Sequence, residues 1–363
     1  MSTQVLIYGA TGYTGRLIAR VARERGLRPI LAARNAAKLR PLAESLGFAH
    51  RVLHVEDTIR LAAGLADVGV VLNAAGPFSA TSCYLVEACL RARAHYLDLA
   101  AEMPIFEALH RRDTDARARG IMIMPGVGFV VAPSDCLAAQ LGRMLPGARH
   151  LAIGISRSTL ISRGSAKTVI ELLSDTIMIR RQGVIASVPA GHLEREFDYG
   201  RGPRRSAAVS WADVFTAYHT TRIPNVEVYL EVSPAERAAL RLSSVLGPLV
   251  TAPPWRKLLE MQTGMLAEGP SESQREAHRR VIVAEAEDDS GRRISGRVTT
   301  PDPYTFTAVT ALTLVERILQ GHVTSGFQTP ARVYGADVLR SCGADFQEGP
   351  TAKGAAAPRA RRH

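Results

Sequence analysis

Between residues 5 and 124 short continuous apolar runs alternate with stretches in which apolar residues return every three or four positions. The runs at 5–8, 29–33, 52–55, 68–72, 96–99 and 121–124 predict six buried strands. The periodic stretches between them predict helices. One carries Leu17, Ile18, Val21 and Ala22 and ends at Gly26, a second spans 38–46 and stops at Gly47, a third spans 82–93, and a polar one covers about 105–119. Strands that are apolar along their whole length have both faces covered. Repeated β-α units with right-handed crossovers then give a doubly wound parallel sheet of the Rossmann type. An apolar helix at 133–145 is expected to open at Pro133 with Ser134 and Asp135 as caps.

Beyond Gly147 the pattern changes. Longer strands at 151–156, 225–232, 279–286 and 296–300, with helices at 166–181 and 211–218, predict an α+β domain with an antiparallel or mixed sheet. A long apolar helix at 307–320 stops at Gly321. Residues 348–363 are rich in Ala, Pro and Arg without periodicity and read as a disordered tail. The fold class is α/β, a Rossmann-type doubly wound parallel sheet (1–147) with a second α+β domain (148–305), followed by a C-terminal segment (306–347) and the tail (348–363).

A chain of 363 residues with 46% hydrophobic and 22% charged residues suits a two-domain enzyme. No apolar run reaches the ~18–20 residues of a membrane span, and the start, Met1-Ser2-Thr3-Gln4, predicts no signal peptide. Cys83, Cys89, Cys136 and Cys342 form no C-x-x-C pair, which fits a reducing cytosol, so the expected location is cytoplasmic. A net charge of +11 favours anionic partners such as a phosphorylated cofactor, acyl-CoA or an acidic carrier protein. It does not indicate nucleic acid, because the basic residues are dispersed and no aromatic-interleaved patch accompanies them.

The sharpest motif is Gly9-Ala10-Thr11-Gly12-Tyr13-Thr14-Gly15, directly after a strand and at the start of a helix. Glycines there permit a tight turn and close backbone approach to a pyrophosphate, which the first-turn amides then face. At the end of strand two an NAD enzyme usually carries an acid for the ribose 2′-hydroxyl. This chain has Arg34-Asn35, with Lys38 one turn on, suited to a 2′-phosphate and hence to NADPH; the alternative is a solvated surface arginine. Small residues in Asn73-Ala74-Ala75-Gly76-Pro77-Phe78 leave room for ribose and nicotinamide. Asp57 either approaches the adenine or caps a helix, and Gly128-Phe129 could close over the nicotinamide. Tyr96 and Glu102 are candidates to line the hydride-transfer site, with packing or capping as the alternative. In the second domain Arg163, Ser165 and Lys167 open a helix that could hold a carboxylate or phosphate; Ser165 also reads as a plain N-cap. No Tyr is followed four residues later by Lys, so the Y-x-x-x-K acid pair is missing, and no clustered Cys/His set predicts a metal. Cys83 and Cys136 read as packed thiols.

Together GATGYTG (9–15), AARN (32–35), NAAGPF (73–78), HYLDLAAE (95–102) and GFVVAPSDCLA (128–138) resemble the saccharopine dehydrogenase-like oxidoreductases, including their trans-acting enoyl reductase branch. RGSAKT (163–168) and the stretch from Pro303-Tyr304 to Thr329-Pro330 extend the resemblance. The chain has Ala101 where the family usually has Gly, Val130 where Asp is frequent, and no Gly before Tyr304. The resemblance implies an NADP-type domain, a second α/β domain, a C-terminal helix packed back on the first domain, and hydride transfer to C=C or C=N. Tyr304 joins Tyr96 and Glu102 as a catalytic candidate, and Phe129, Arg163 and Ser165 as substrate-side candidates. The expected activity is NADPH-dependent reduction of an activated C=C, with a small-molecule or acyl-thioester substrate, possible delivery by an acidic acyl carrier protein, and a homodimer left open. Imine or amino-acid-type reduction and a non-catalytic NADPH sensor are the alternatives.

Overall fold

A computed structural model describes residues 2–157, 176–234, 236–238 and 268–349, together with the backbone of 352–353. The first region runs β1 (Val5–Tyr8), α1 (Tyr13–Glu24), β2 (Ile30–Ala33), α2 (Ala36–Leu46), β3 (His50–Val52), α3 (Thr58–Ala63) and β4 (Val70–Asn73). It continues with α4 (Ser82–Ala92), β5 (His95–Asp98), α5 (Met103–His110), α6 (Asp113–Arg119), β6 (Met122–Met124) and α7 (Ala132–Met144). The strands pair in parallel in the order β3-β2-β1-β4-β5-β6, the doubly wound arrangement with its switch point between β1 and β4. Every residue of β1, β2, β4 and β5 is buried, as strands covered by helices on both faces require.

The second region runs β7 (Ala148–Ile155), β8 (Thr176–Arg181), β9 (Val184–Pro189), β10 (Glu194–Asp198), β11 (Pro203–Ala208), α8 (Asp213–Thr221) and β12 (Asn225–Glu231). After the next described residues come α9 (Glu272–Glu276), β13 (Arg280–Asp288) and β14 (Arg292–Thr300). The chain closes with α10 (Pro303–Leu319), β15 (Gly326–Phe327), α11 (Pro330–Tyr334), α12 (Asp337–Arg340), β16 (Asp345–Glu348) and β17 (Ala352–Lys353). The second sheet is mixed: β7 lies parallel to β12 and antiparallel to β13.

Four details depart from the sequence reading. The helix predicted at 105–119 is two helices, because Asp113 turns its carboxylate to receive the Phe327 amide (2.7 Å) of the edge strand β15. Within the helix predicted at 166–181, residues 166–175 lie outside the described residues, and Thr176–Arg181 is strand β8. Burial alternates along Thr176–Ile179, with Ile177 and Ile179 inward, and Gln182 and Gly183, both left-handed (φ 49° and 81°), reverse the chain into β9, the geometry of a two-residue hairpin. Ser134 and Asp135 are not caps: α7 starts at Ala132, and Asp135 instead accepts Thr220 Oγ1 (2.6 Å) and the Ala331 amide (3.0 Å), tying α7 to α8 and α11. Finally, the C-terminal segment divides. Helix α10 packs on α1 and β4, and β15 extends the first sheet beside β6, but β16 and β17 pair with β14 of the second. Glu348, expected at the start of a disordered tail, is the last residue of β16.

One hydrophobic cluster spans both regions, from Ile7 and Leu72 through Leu137 and Leu141 of α7 to Val228, Ile282 and Val298. A contiguous buried core of this kind ties the parallel sheet, through α7, to one face of the mixed sheet.

Candidate active site

The turn from Gly9 to Gly15 sits at the carboxyl end of β1, and two of its glycines, Gly9 and Gly15, are required sterically. Gly9 has φ 81°, and a Cβ there would lie 2.6 Å from the Ala75 amide nitrogen. A Cβ on Gly15 would run into the Gly9 carbonyl and would lie 2.9 Å from Ala10 Cα. The turn is knitted by Gly9 and Ala10 amides donating to the Ala32 carbonyl (2.8 and 3.2 Å) and by Gly12 N–H donating to Gly9 (3.0 Å). Gly12 is exposed and caps α1, whose intrahelical bonds begin with Arg16 N–H to Gly12 O. The amides of Tyr13, Thr14 and Gly15 therefore stand at a 12-residue helix's positive end, with no helical carbonyl upstream to accept them. Thr11 and Thr14 are half-buried, and the Thr11 carbonyl accepts Arg16 Nη1 (2.7 Å).

Arg34 follows β2 and is exposed, as is Lys38, and neither side chain makes a hydrogen bond or ion pair among the described residues. Asn35 is occupied as the N-cap of α2, accepting the Lys38 amide (3.1 Å). Asp57 is the N-cap of α3, accepting the Arg60 amide (3.1 Å). Both have helix-capping as a sufficient local role. The free amides, the bare turn and the unpaired guanidinium fit a dinucleotide carrying a 2′-phosphate.

The strand ends beside this turn are locked by a buried polar network. Asn73 Nδ2 donates to Thr81 Oγ1 and to the Tyr96 hydroxyl (both 3.1 Å), and its Oδ1 accepts the Ala75 amide (3.0 Å). Tyr96 donates to Asp98 Oδ2 (2.8 Å), and Asp98 Oδ1 accepts the Ala100 and Gly126 amides (3.0 and 3.1 Å). Burial pushes the Asp98 acid up to about 6, against the pull of those amides and the Tyr96 hydroxyl. Burial likewise raises the Tyr96 phenol well above its ordinary range, and Asp98 adds to the rise. Ala74 and Ala75 are half-buried, Gly76 and Pro77 exposed, and Phe78 buried below them. Tyr96 is fully buried within this network, so its place is that of a positioning residue that holds β4, β5 and the Gly126 loop in register. Glu102 is buried too and accepts the Ala101 amide (2.9 Å).

Gly128 and Phe129 follow β6. A Cβ on Gly128 would meet Thr307, whose Oγ1 accepts the Phe129 amide (3.0 Å), so the loop is pinned to α10. Trp211 holds its other side, donating to the Val130 carbonyl (3.0 Å). Tyr304 lies at the start of α10, where Asp302 accepts the Tyr304 and Thr305 amides (2.9 and 3.1 Å). Its ring stands edge-on to Tyr13 of the glycine turn at 5.1 Å. Tyr13 in turn donates to the Pro270 carbonyl (2.6 Å) and accepts Arg275 Nη1 (2.8 Å). Of the three catalytic candidates, Tyr304 is the one placed where the two sheets meet. Arg163 and Ser165 lie outside the described residues.

Sequence reasoning missed Arg275, Arg280 and Trp211. Each becomes visible only when β13, α8 and α9 are folded against the first domain, and no local motif marks them. Among the described residues no group of three or more His, Cys, Asp or Glu could hold a metal, and no helix is long and apolar enough to cross a membrane.

The sheet order, the glycine turn and the basic end of β2 define an NADP-binding Rossmann domain. Residues 5–124 match the family model described as the saccharopine dehydrogenase NADP binding domain. The "Trans-acting enoyl reductase" of Mycobacterium tuberculosis is 33% identical over 150 residues, 38% of this chain and 35% of that protein. The Mycobacterium leprae protein of the same name is 34% identical over 149 residues, with the same shares. The matched stretch thus spans about a third of these relatives' length. Apo saccharopine dehydrogenase (L-Glu forming) from Saccharomyces cerevisiae shares the fold at TM-score 0.65 and 12% identity, over 96% of this chain and 99% of that one. The homospermidine synthase of Legionella pneumophila, solved with NAD, follows at TM-score 0.62 and 10% identity, over 95% and 91%. The fold of the chain is accordingly saccharopine dehydrogenase-like in both domains.

Proposed function

We propose that the protein is an NADPH-dependent reductase of an activated C=C bond, with an enoyl thioester as substrate. The observation that carries the cofactor half is Arg34, exposed and without a hydrogen bond or ion pair among the described residues, beside a turn in which Gly9 and Gly15 admit no side chain. The substrate half rests on the likeness to proteins named trans-acting enoyl reductases, and the surplus of eleven positive charges suits an acidic carrier delivering the acyl group.

The residues divide the work. The first-turn amides of α1 receive the diphosphate, and Arg34 with Lys38 receives the 2′-phosphate. The bound cofactor supplies a hydride from C4 of its nicotinamide. The Asn73-Tyr96-Asp98 network holds the strand ends that would support the nicotinamide ribose, and Phe129, its amide pinned by Thr307, would form an apolar wall that excludes water. Tyr304, at the domain junction, is the proton donor best placed to reach a substrate there. The division into a cofactor domain (1–147), a second domain (148–305) and a C-terminal segment is part of this reading.

Absorbance of NADPH followed with a panel of enoyl thioesters and cyclic imines tests the proposal. Oxidation is expected with the thioesters. Turnover of imines alone would move the reading to C=N reduction, and tight NADPH binding without turnover of either would make the protein a sensor.

A further inference from the structure

Arg280 opens β13 opposite Thr300, the last residue of β14, and is only 6% exposed. Among the described residues its Nε and Nη1 have no hydrogen-bond partner. Its guanidinium carbon lies 5.4 Å from the Phe129 ring centroid, on the loop expected over the nicotinamide. The charge of Glu231 supports it, yet Glu231 Oε2 already accepts Arg201 Nη2 (2.7 Å) and the Arg157 amide (2.9 Å), and no hydrogen bond or ion pair joins the carboxylate to Arg280 among the described residues. Tyr199 and Tyr304 also face it. Burial draws the guanidinium down to about 10, which leaves it cationic at neutral pH.

A buried cation with open donors is costly to keep unless something answers it. Arg180, equally buried, does find partners: it donates to the Val214 and Gly183 carbonyls (3.0 and 2.6 Å). Arg280 instead stands at the junction where Phe129, Tyr304 and the glycine turn converge. We propose that Arg280 is a substrate-binding residue that takes an oxyanion, so that the molecule reduced beside the nicotinamide carries a carboxylate or phosphate group. This rests on the reductase reading above and narrows its substrate to an anionic one.

The test uses the full-length protein, with and without saturating NADPH, titrated with butyrate in one arm and inorganic phosphate in the other. Trp211, bonded to the loop that carries Phe129, supplies the fluorescence signal. Saturable binding is expected in one arm, naming the oxyanion's source, and Arg280→Met should weaken it about tenfold or more while leaving NADPH affinity unchanged. Arg280→Met should also melt higher than the parent, because it removes an unanswered buried charge; a structural arginine would melt lower on the same change. Arg280→Lys should retain partial binding. No saturation in either arm, equal binding by Arg280→Met, or a lower melting temperature for that variant overturns the assignment. Failure of the parent to bind NADPH would count against the reductase reading alone, since the titration without cofactor still reads Arg280.

Discussion

Gly15 has no room for a side chain, because its Cβ would meet the Gly9 carbonyl and Ala10 backbone rather than a flexible neighbour. Gly15→Ala should therefore shift the turn and weaken NADPH binding about tenfold or more, read by cofactor fluorescence, since the turn sets where the diphosphate meets the amides. Asp213 offers a second test. Its carboxyl is fully buried in α8, and burial pushes it up to about 8, Ser134 opposing and Asp135 adding. The unfolded chain releases that proton near the ordinary carboxylate range, about pH 4, while the folded chain holds it to about pH 8. The stability it contributes is thus present at low pH and lost as pH rises through that window. Asp213→Asn removes the titration, so its Tm should exceed the parent's by about 2 °C or more near pH 8.5 and converge with it toward about pH 5. Parallel melting curves across that range would contradict the assignment. At this scale the glycine turn and Arg34 were legible in the sequence, because one short segment carries the whole signal. Asp57 was legible only as an alternative and the capping role of Asn35 was not foreseen: a residue that caps a helix looks the same in sequence as one that binds a ligand.

Helix α10 couples the two sheets: Asp302 caps it, Thr307 pins the Phe129 loop, and its apolar face lies on α1. Thr310, in its middle, is fully buried and its hydroxyl has no partner among the described residues. Thr310→Val replaces that hydroxyl by a methyl of similar volume and should stabilise the protein by about 1 kcal/mol, measured by thermal or denaturant unfolding. A loss of stability would mean that the hydroxyl is satisfied in solution. Periodicity predicted α10 and β1, β2, β4, β5 and β6 well, since burial on both faces writes continuous apolar runs, but it placed the third strand at 52–55, whereas β3 is the partly exposed His50–Val52. The hairpin strands β8 to β11 were missed. Their faces alternate between solvent and protein, and Thr176–Arg181 carries enough Ile and Met to read as a continuing helix. What decides the matter is the left-handed Gln182-Gly183 turn, and a Gln at such a position gives no warning in sequence.

For the molecule as a whole, the first domain's fold and its NADP class followed from local pattern, whereas the junction between the domains did not. Arg280, Tyr304 and Tyr13 come from positions far apart in sequence and meet only because β13, α10 and α1 share one core. The account stands on Arg34 reading a 2′-phosphate at the open end of β2. Equilibrium titration of the parent and Arg34→Ala with NADPH and with NADH tests this most directly. The expected result is tighter binding of NADPH by the parent and a loss of about tenfold or more in the variant for NADPH, with NADH nearly unaffected. Equal losses for both coenzymes, or no binding of either by the parent, would contradict it.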